Sequence, residues 1–129
     1  MIFDAKHEMI RKLVRQFAET ELTTEILDKV EATGEFPEEI VDKRAKCGFL
    51  GLKIPREYGG DGADTLAYII MIEEIARVSA VASLYANTPN SLGGGPLMQA
   101  GTPEQLEKFL RRGEQGEDRV RPHRAGRRL

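Results

Sequence analysis

From Thr65 to Val78 the chain reads Thr-Leu-Ala-Tyr-Ile-Ile-Met-Ile-Glu-Glu-Ile-Ala-Arg-Val, with few polar positions. This run is too long for an ordinary strand and too short for a membrane span. Leu66, Ile69, Ile70, Ile72, Ile75 and Ala76 predict a helix that begins at Asp64 or Thr65 and is buried on most sides. A helix of that kind is stable only when other elements cover it, so the rest of the chain has to supply the covering layer.

The remaining segments read as such a layer. Met9, Ile10, Leu13, Val14 and Phe17 recur at three- and four-residue spacing, with Arg11, Lys12, Arg15 and Gln16 on the opposite face. Asp4 is the expected N-cap of this first helix, which extends to about Leu22. Thr23 and Thr24 predict a break before Ile26, Leu27 and Val30, and Gly34 closes that stretch. Pro37 at a first helical position, followed by Glu38 and Glu39, predicts another helix with Ile40, Val41 and Ala45 buried and Gly48 as its stop. Residues 50–62, rich in glycine and holding Pro55, read as a loop. Ser79 is placed to cap a helix from Ala80 to about Ala86. Pro89 predicts either a kink or a fresh start capped by Thr88, and Gly93-Gly94-Gly95 reads as a helix-to-helix joint. Thr102-Pro-Glu-Gln105 has the capping-box pattern and opens a last helix through Leu110. No segment alternates with period two. The expected fold is all-α, a bundle-like or orthogonal helical domain over residues 1–110.

The net charge of −2 conceals a division at that boundary. Residues 1–110 carry 12 basic and 18 acidic side chains, whereas residues 111–129 carry seven arginines and three acids. Apolar content falls at the same place, leaving Val120, Ala125 and Leu129 as the only aliphatic side chains beyond Leu110. A segment of that composition cannot bury enough surface to offset its ordering entropy, so residues 111–129 read as a disordered, Arg-rich tail.

Several chemistries are excluded by residue type and spacing. One cysteine, Cys47, leaves no internal disulfide and no Cys-cluster zinc site, and it reads as a small buried hydrophobe. His7, read as facing solvent on the first helical turn, and His123 lack spaced partners, so no metal site is expected. Glu73 and Glu74 point about 100° apart on a helix, which suits a solvated edge and not a catalytic dyad. The triple glycine lacks the Lys-Ser/Thr of a phosphate loop. Scarce aromatics, with no Trp, argue against specific nucleic-acid binding, and the tail's arginines offer only a weak anionic-surface reading. No basic n-region or apolar span is present, which points to a cytoplasmic protein away from the membrane.

The order of motifs carries more. Phe36-Pro37, Gly48-Phe-Leu-Gly51, Ile54-Pro-Arg-Glu-Tyr-Gly-Gly60 and Ile72-Glu-Glu-Ile-Ala-Arg77 are followed by Asn90-Ser-Leu92, Gly95-Pro-Leu97 and Gly101-Thr-Pro-Glu-Gln105. In this order and spacing they resemble the N-terminal helical domain of acyl-CoA dehydrogenases over about residues 3–110. The resemblance implies an FAD-dependent oxidation of acyl-CoA at its α and β carbons, in which a glutamate takes the α proton and the flavin accepts a hydride. Electrons then pass to an electron-transfer flavoprotein. It also implies that Leu84, Tyr85, Thr88 and Leu92 lie near the acyl chain, although Tyr85 and Pro89 are not usual in that segment. The family's catalytic base and most of its flavin-binding and CoA-binding positions fall beyond residue 110, so no catalytic or cofactor-binding residue is assigned here. Two readings follow: an N-terminal piece of such an enzyme, inactive alone and prone to self-association through uncovered apolar faces, or an independent helical protein-interaction module.

The tail has its own explanation. Codons permitted for residues 112–129, read one base later, encode Val-Ala-Asn-Lys-Gly-Lys-Ile-Gly-Phe-Gly-Leu-Thr-Glu-Pro-Gly-Ala-Gly. Leu-Thr-Glu-Pro-Gly-Ala-Gly resembles the acyl-CoA dehydrogenase segment that opens the flavin-binding β domain. The expectation is a frameshift after about residue 111.

Overall fold

The structure is a computed structural model and describes residues 2–111. Seven helices carry it: α1 (Ala5–Glu21), α2 (Thr24–Thr33), α3 (Glu38–Lys46), α4 (Thr65–Ala76), α5 (Ala80–Asn87), α6 (Gly94–Ala100) and α7 (Pro103–Gln105). Short 3₁₀ turns at Phe49–Gly51 and Arg56–Tyr58 lie within the stretch read as loop, and wider i→i+5 turns span Thr88–Leu92 and Leu106–Leu110. No strand forms among the described residues, so the all-α expectation holds. Apart from Arg111, which closes the last helical turn, the segment read as a tail lies outside the described residues.

Side-chain caps define most helix starts. Asp4, Thr23, Asp64, Ser79 and Thr102 each accept a backbone N–H from the first turn that follows. Pro37 stands one residue earlier than expected, at the N-cap of α3 and not inside it. Gly34 and Gly48 follow α2 and α3 in the left-handed conformation (φ 73° and 77°), where an L side chain would be strained.

The core sits where α1 crosses α4, closed by α5 and by the Phe49–Gly51 turn. Val14, Phe17, Ala18, Val30, Ile40, Phe49, Leu52, Tyr68, Met71, Ile75, Ala82 and Ala86 form one contiguous apolar cluster. Phe17 and Phe49 meet edge to face at 5.1 Å between ring centres. Tyr68 on α4 donates its hydroxyl to the side-chain oxygen of Asn87 on α5.

The burial pattern departs from the sequence reading at polar positions. His7 is buried, not solvent-facing. Its Nδ1 lies 3.1 Å from the Asp4 backbone nitrogen and its Nε2 3.1 Å from the Asp64 carboxylate. One imidazole thus bridges the caps of α1 and α4. Met9 and Leu13, assigned to the apolar face of α1, are exposed, because that helix turns Arg11 toward α4 along with Val14 and Ala18. Ile69 is half-exposed and Ala76 is exposed, so α4 is covered on fewer sides than its composition suggested. Glu74, read as a solvated edge, is buried, and Cys47, read as buried, is exposed.

Candidate functional site

Helix α5 does not stop at Pro89. Thr88 and Gly93 keep helical torsion angles, and the chain continues through the Thr88–Leu92 turn into α6. Proline has no N–H to donate, so an unbroken α-helical ladder is impossible here. The backbone widens instead, and the Gly93 N–H reaches the Thr88 carbonyl at 2.7 Å. Gly94 makes this close approach possible, since a Cβ there would lie 2.2 Å from the Pro89 carbonyl oxygen.

This helix carries all four residues that the resemblance placed near an acyl chain. Leu84 and Leu92 are strongly exposed, at 57% and 63%. Thr88 lies between them in sequence and turns its hydroxyl inward, donating to the Leu84 carbonyl at 3.0 Å. The hydroxyl is thereby occupied, and the flank offers methyl and methylene surface. Tyr85 behaves differently from the other three. Its hydroxyl donates to the Gly34 carbonyl at 3.0 Å, and its ring meets Phe36 edge to face at 4.8 Å. It is anchored toward α2 and α3, whereas Leu84 and Leu92 face outward.

Behind Tyr85 lies a residue that sequence reasoning missed. Arg44 of α3 is 2% exposed, with its guanidinium carbon 4.6 Å from the Phe36 ring centre and 5.9 Å from that of Tyr85. Its Nε and Nη1 have no hydrogen-bond partner. Burial without a carboxylate lowers its pKa to about 10. Asn90 also went unassigned. It is completely buried, its amide nitrogen donates to the Phe49 and Ala86 carbonyls at 2.7 and 3.0 Å, and its oxygen accepts the Lys53 N–H at 2.9 Å. An asparagine in the middle of an apolar helix, directly after a proline, was the available signal.

The other polar clusters are internally satisfied. Glu74 is held by Arg11, Arg15 and Arg77, and hydrogen bonds from Arg15 lead the effects that lower its pKa to about 2. Asp64 is held below the usual carboxylate range by the Ala67 N–H and then by His7. Desolvation raises the Cys47 thiol, with the Glu21 charge adding to it, which is opposite to what a nucleophile needs. Among the described residues, no group of three or more His, Cys, Asp or Glu side chains could hold a metal ion. No helix of the described residues is long and apolar enough to cross a membrane.

Comparison with known proteins agrees with this architecture. The family profile of the acyl-CoA dehydrogenase N-terminal domain matches residues 4–117. The caffeyl-CoA reductase-Etf complex subunit CarC of Acetobacterium woodii is 61% identical over 111 residues, which are 86% of this chain and 29% of that protein. The 3-(aryl)acrylate reductase of Clostridium sporogenes is 54% identical over the same shares of the two chains. The solved structure of butyryl-CoA dehydrogenase from Megasphaera elsdenii superposes with a TM-score of 0.74 at 30% identity, covering 88% of this chain and 30% of that one. The chain therefore spans less than a third of the length of these relatives.

Proposed function

The chain belongs to the acyl-CoA dehydrogenase family, and from that premise we propose that residues 1–110 form the helical domain of an FAD-dependent oxidoreductase acting between Cα and Cβ of acyl-CoA thioesters. In this reading the α5–α6 helix is one wall of the acyl site. The supporting observation is the exposure of Leu84 and Leu92 on either side of the half-buried Thr88, whose hydroxyl is already bonded to backbone. An acyl chain gains by leaving water against such a surface, and Thr88 makes no competing polar demand.

Identity to a caffeyl-CoA reductase subunit and to a 3-(aryl)acrylate reductase supports a narrower substrate class, the thioesters of 3-aryl three-carbon acids. Tyr85 is turned away from that flank, toward Gly34 and Phe36, so in this reading it braces the wall from behind and does not line it. The assembly named for CarC supports an electron-transfer flavoprotein as the partner of the complete enzyme.

FAD does not fit the charged clusters of the described residues. Arg11, Arg15 and Arg77 are committed to Glu74, and the N-termini of α1 and α4 are closed by Asp4 and Asp64, whose carboxylates would repel a pyrophosphate. We therefore assign the flavin, the catalytic base and the turnover to the part of such an enzyme that this chain does not span.

Methyl-resolved NMR of the 129-residue chain, titrated with cinnamoyl-CoA and butyryl-CoA, tests the acyl wall. Shifts confined to Leu84, Thr88 and Leu92, larger with cinnamoyl-CoA, are expected. Shifts at Met9 and Leu13 with none on the α5–α6 helix would overturn the assignment.

A further inference from the structure

We propose that Asn90 is a positioning residue for the acyl-facing flank: its buried amide holds the i→i+5 turn that keeps Leu92 in line with Leu84 and Thr88. The inference rests on the acyl-wall reading above and deepens it.

The alignment follows from helix geometry. An α-helix rotates about 100° per residue, so Leu92, eight residues after Leu84, would stand about 80° around an unbroken helix. A turn closed by an i→i+5 bond holds more residues and advances only roughly 80° per residue. Taking that value from Thr88 to Leu92 returns Leu92 to within about 10° of Leu84. The similar exposure of the two leucines agrees with a shared flank. A regular helix would let residues 84, 88 and 92 drift across one broad face, and the widened turn straightens that drift.

Such a turn is not self-sustaining. Pro89 contributes no donor, and the helix could recover regular geometry by tightening past Leu92. Asn90 opposes this from the side facing away from the flank. Its amide nitrogen ties the turn back to Ala86 on the preceding helix and across to Phe49, and its oxygen takes the Lys53 N–H. The Asn90 side chain is fully buried and its two donated bonds are buried with it, so truncating it removes contacts that solvent does not readily replace. Gly94 is seated against the Pro89 carbonyl, where a Cβ would lie 2.2 Å from the oxygen, so the wide turn requires glycine at this position.

The test uses the 129-residue chain with Asn90→Ala and Asn90→Asp, and Val14→Ala as a core variant that lowers stability elsewhere. Amide exchange at Gly93 reports the turn, and methyl shifts of Leu84 and Leu92 on adding cinnamoyl-CoA report the flank. Asn90→Ala is expected to speed Gly93 exchange at least about tenfold beyond any global change, and to uncouple the two leucine responses. Asn90→Asp keeps the acceptor for Lys53 but sets a carboxylate oxygen against the Phe49 and Ala86 carbonyls, so it should loosen the turn at least as much as Asn90→Ala. Val14→Ala leaves Gly93 following the global change alone. Asn90 variants in which Gly93 exchange changes no more than in Val14→Ala would overturn the role of Asn90. Loss of the turn in the variants, with no leucine response in the unsubstituted chain, would instead overturn the acyl wall and the positioning role that depends on it.

Discussion

Arg15 grips Glu74 with two hydrogen bonds, Nε to one carboxylate oxygen and Nη2 to the other, each 2.9 Å long. Arg11 and Arg77 add one bond each at 3.0 Å, so a carboxylate that is 2% exposed joins α1 to α4 and to the end of α4 itself. The pKa of Glu74 falls from its ordinary 4.5 to about 2. A carboxyl depressed on folding stabilises the fold above its unfolded value and loses that contribution as pH falls through the folded one. Thermal melts should therefore lose stability between about pH 4.5 and pH 2. Glu74→Gln should flatten that dependence and cost about 2–3 kcal/mol at neutral pH, less than a fully buried broken pair because Arg15 and Arg77 are half-exposed. A pH profile as steep as that of the unsubstituted chain would contradict this account.

Arg44 calls for the opposite result. A buried guanidinium with two unpartnered nitrogens, offset only by the Phe36 and Tyr85 rings, costs more than it contributes. Arg44→Met fills similar volume without the charge and should raise stability by about 1–2 kcal/mol, measured by urea denaturation. The sign with pH is also determined. Folding favours the neutral form of Arg44, so the unsubstituted chain should gain stability as pH rises past about 10, and the Met variant should lack that gain.

Adjacent isoleucines on α4 should respond very differently. Ile70 is 1% exposed and Ile69 is 52% exposed. Ile70→Ala should cost ~2–5 kcal/mol, enough to unfold a marginal domain, whereas Ile69→Ala should stay near ~0.5 kcal/mol. Circular-dichroism melts of the pair decide it, and equal losses would mean that α4 is rotated about its axis.

The purified 129-residue chain should show no flavin absorbance and should not reduce a dye acceptor with butyryl-CoA above the buffer rate. With Leu84, Leu92, Val81 and Ile69 uncovered, it should also self-associate. Analytical ultracentrifugation and a visible spectrum suffice, and turnover by this chain alone would refute the assignment of chemistry to other parts of the enzyme.

The change in composition after residue 110 yields a prediction about the gene. If the arginine-rich stretch comes from a shifted frame, the frame one base later should continue past the Leu-Thr-Glu-Pro-Gly-Ala-Gly equivalent into a β domain and a further helical bundle. An early stop codon in that frame would end the idea.

The helical architecture was largely legible in the sequence because caps and periodicity are local. Asp4, Ser79 and Thr102 announce their helices within three residues, and each accepts the expected backbone N–H. The polar interior was not legible for the complementary reason. Glu74 looks like half of an exposed acidic pair until Arg11 and Arg15, about sixty residues earlier, are folded against it. His7 looks exposed until Asp64 arrives, and Arg44 looks like one more surface cation of α3. Pro89 showed that regular helix could not continue, but whether the chain would bend, restart or widen depends on Asn90 and on the Phe49–Lys53 segment, which periodicity does not see. Cys47 was misjudged because cysteine's usual burial outweighed its position at the end of α3.

The His7 bridge between the caps of α1 and α4 also sets an order of events during synthesis. The first helix emerges from the ribosome with Val14, Phe17 and Ala18 uncovered, and the partner that covers them begins only at Asp64. At about 5–20 residues per second, that interval is roughly 3–12 seconds. Throughout it, this helix waits as an isolated amphipathic segment, without the tertiary packing from which most helical stability comes. A nascent-chain binder that prefers basic, apolar segments would find Arg11 and Arg15 free beside that uncovered face, and would have to release them when Glu74 appears.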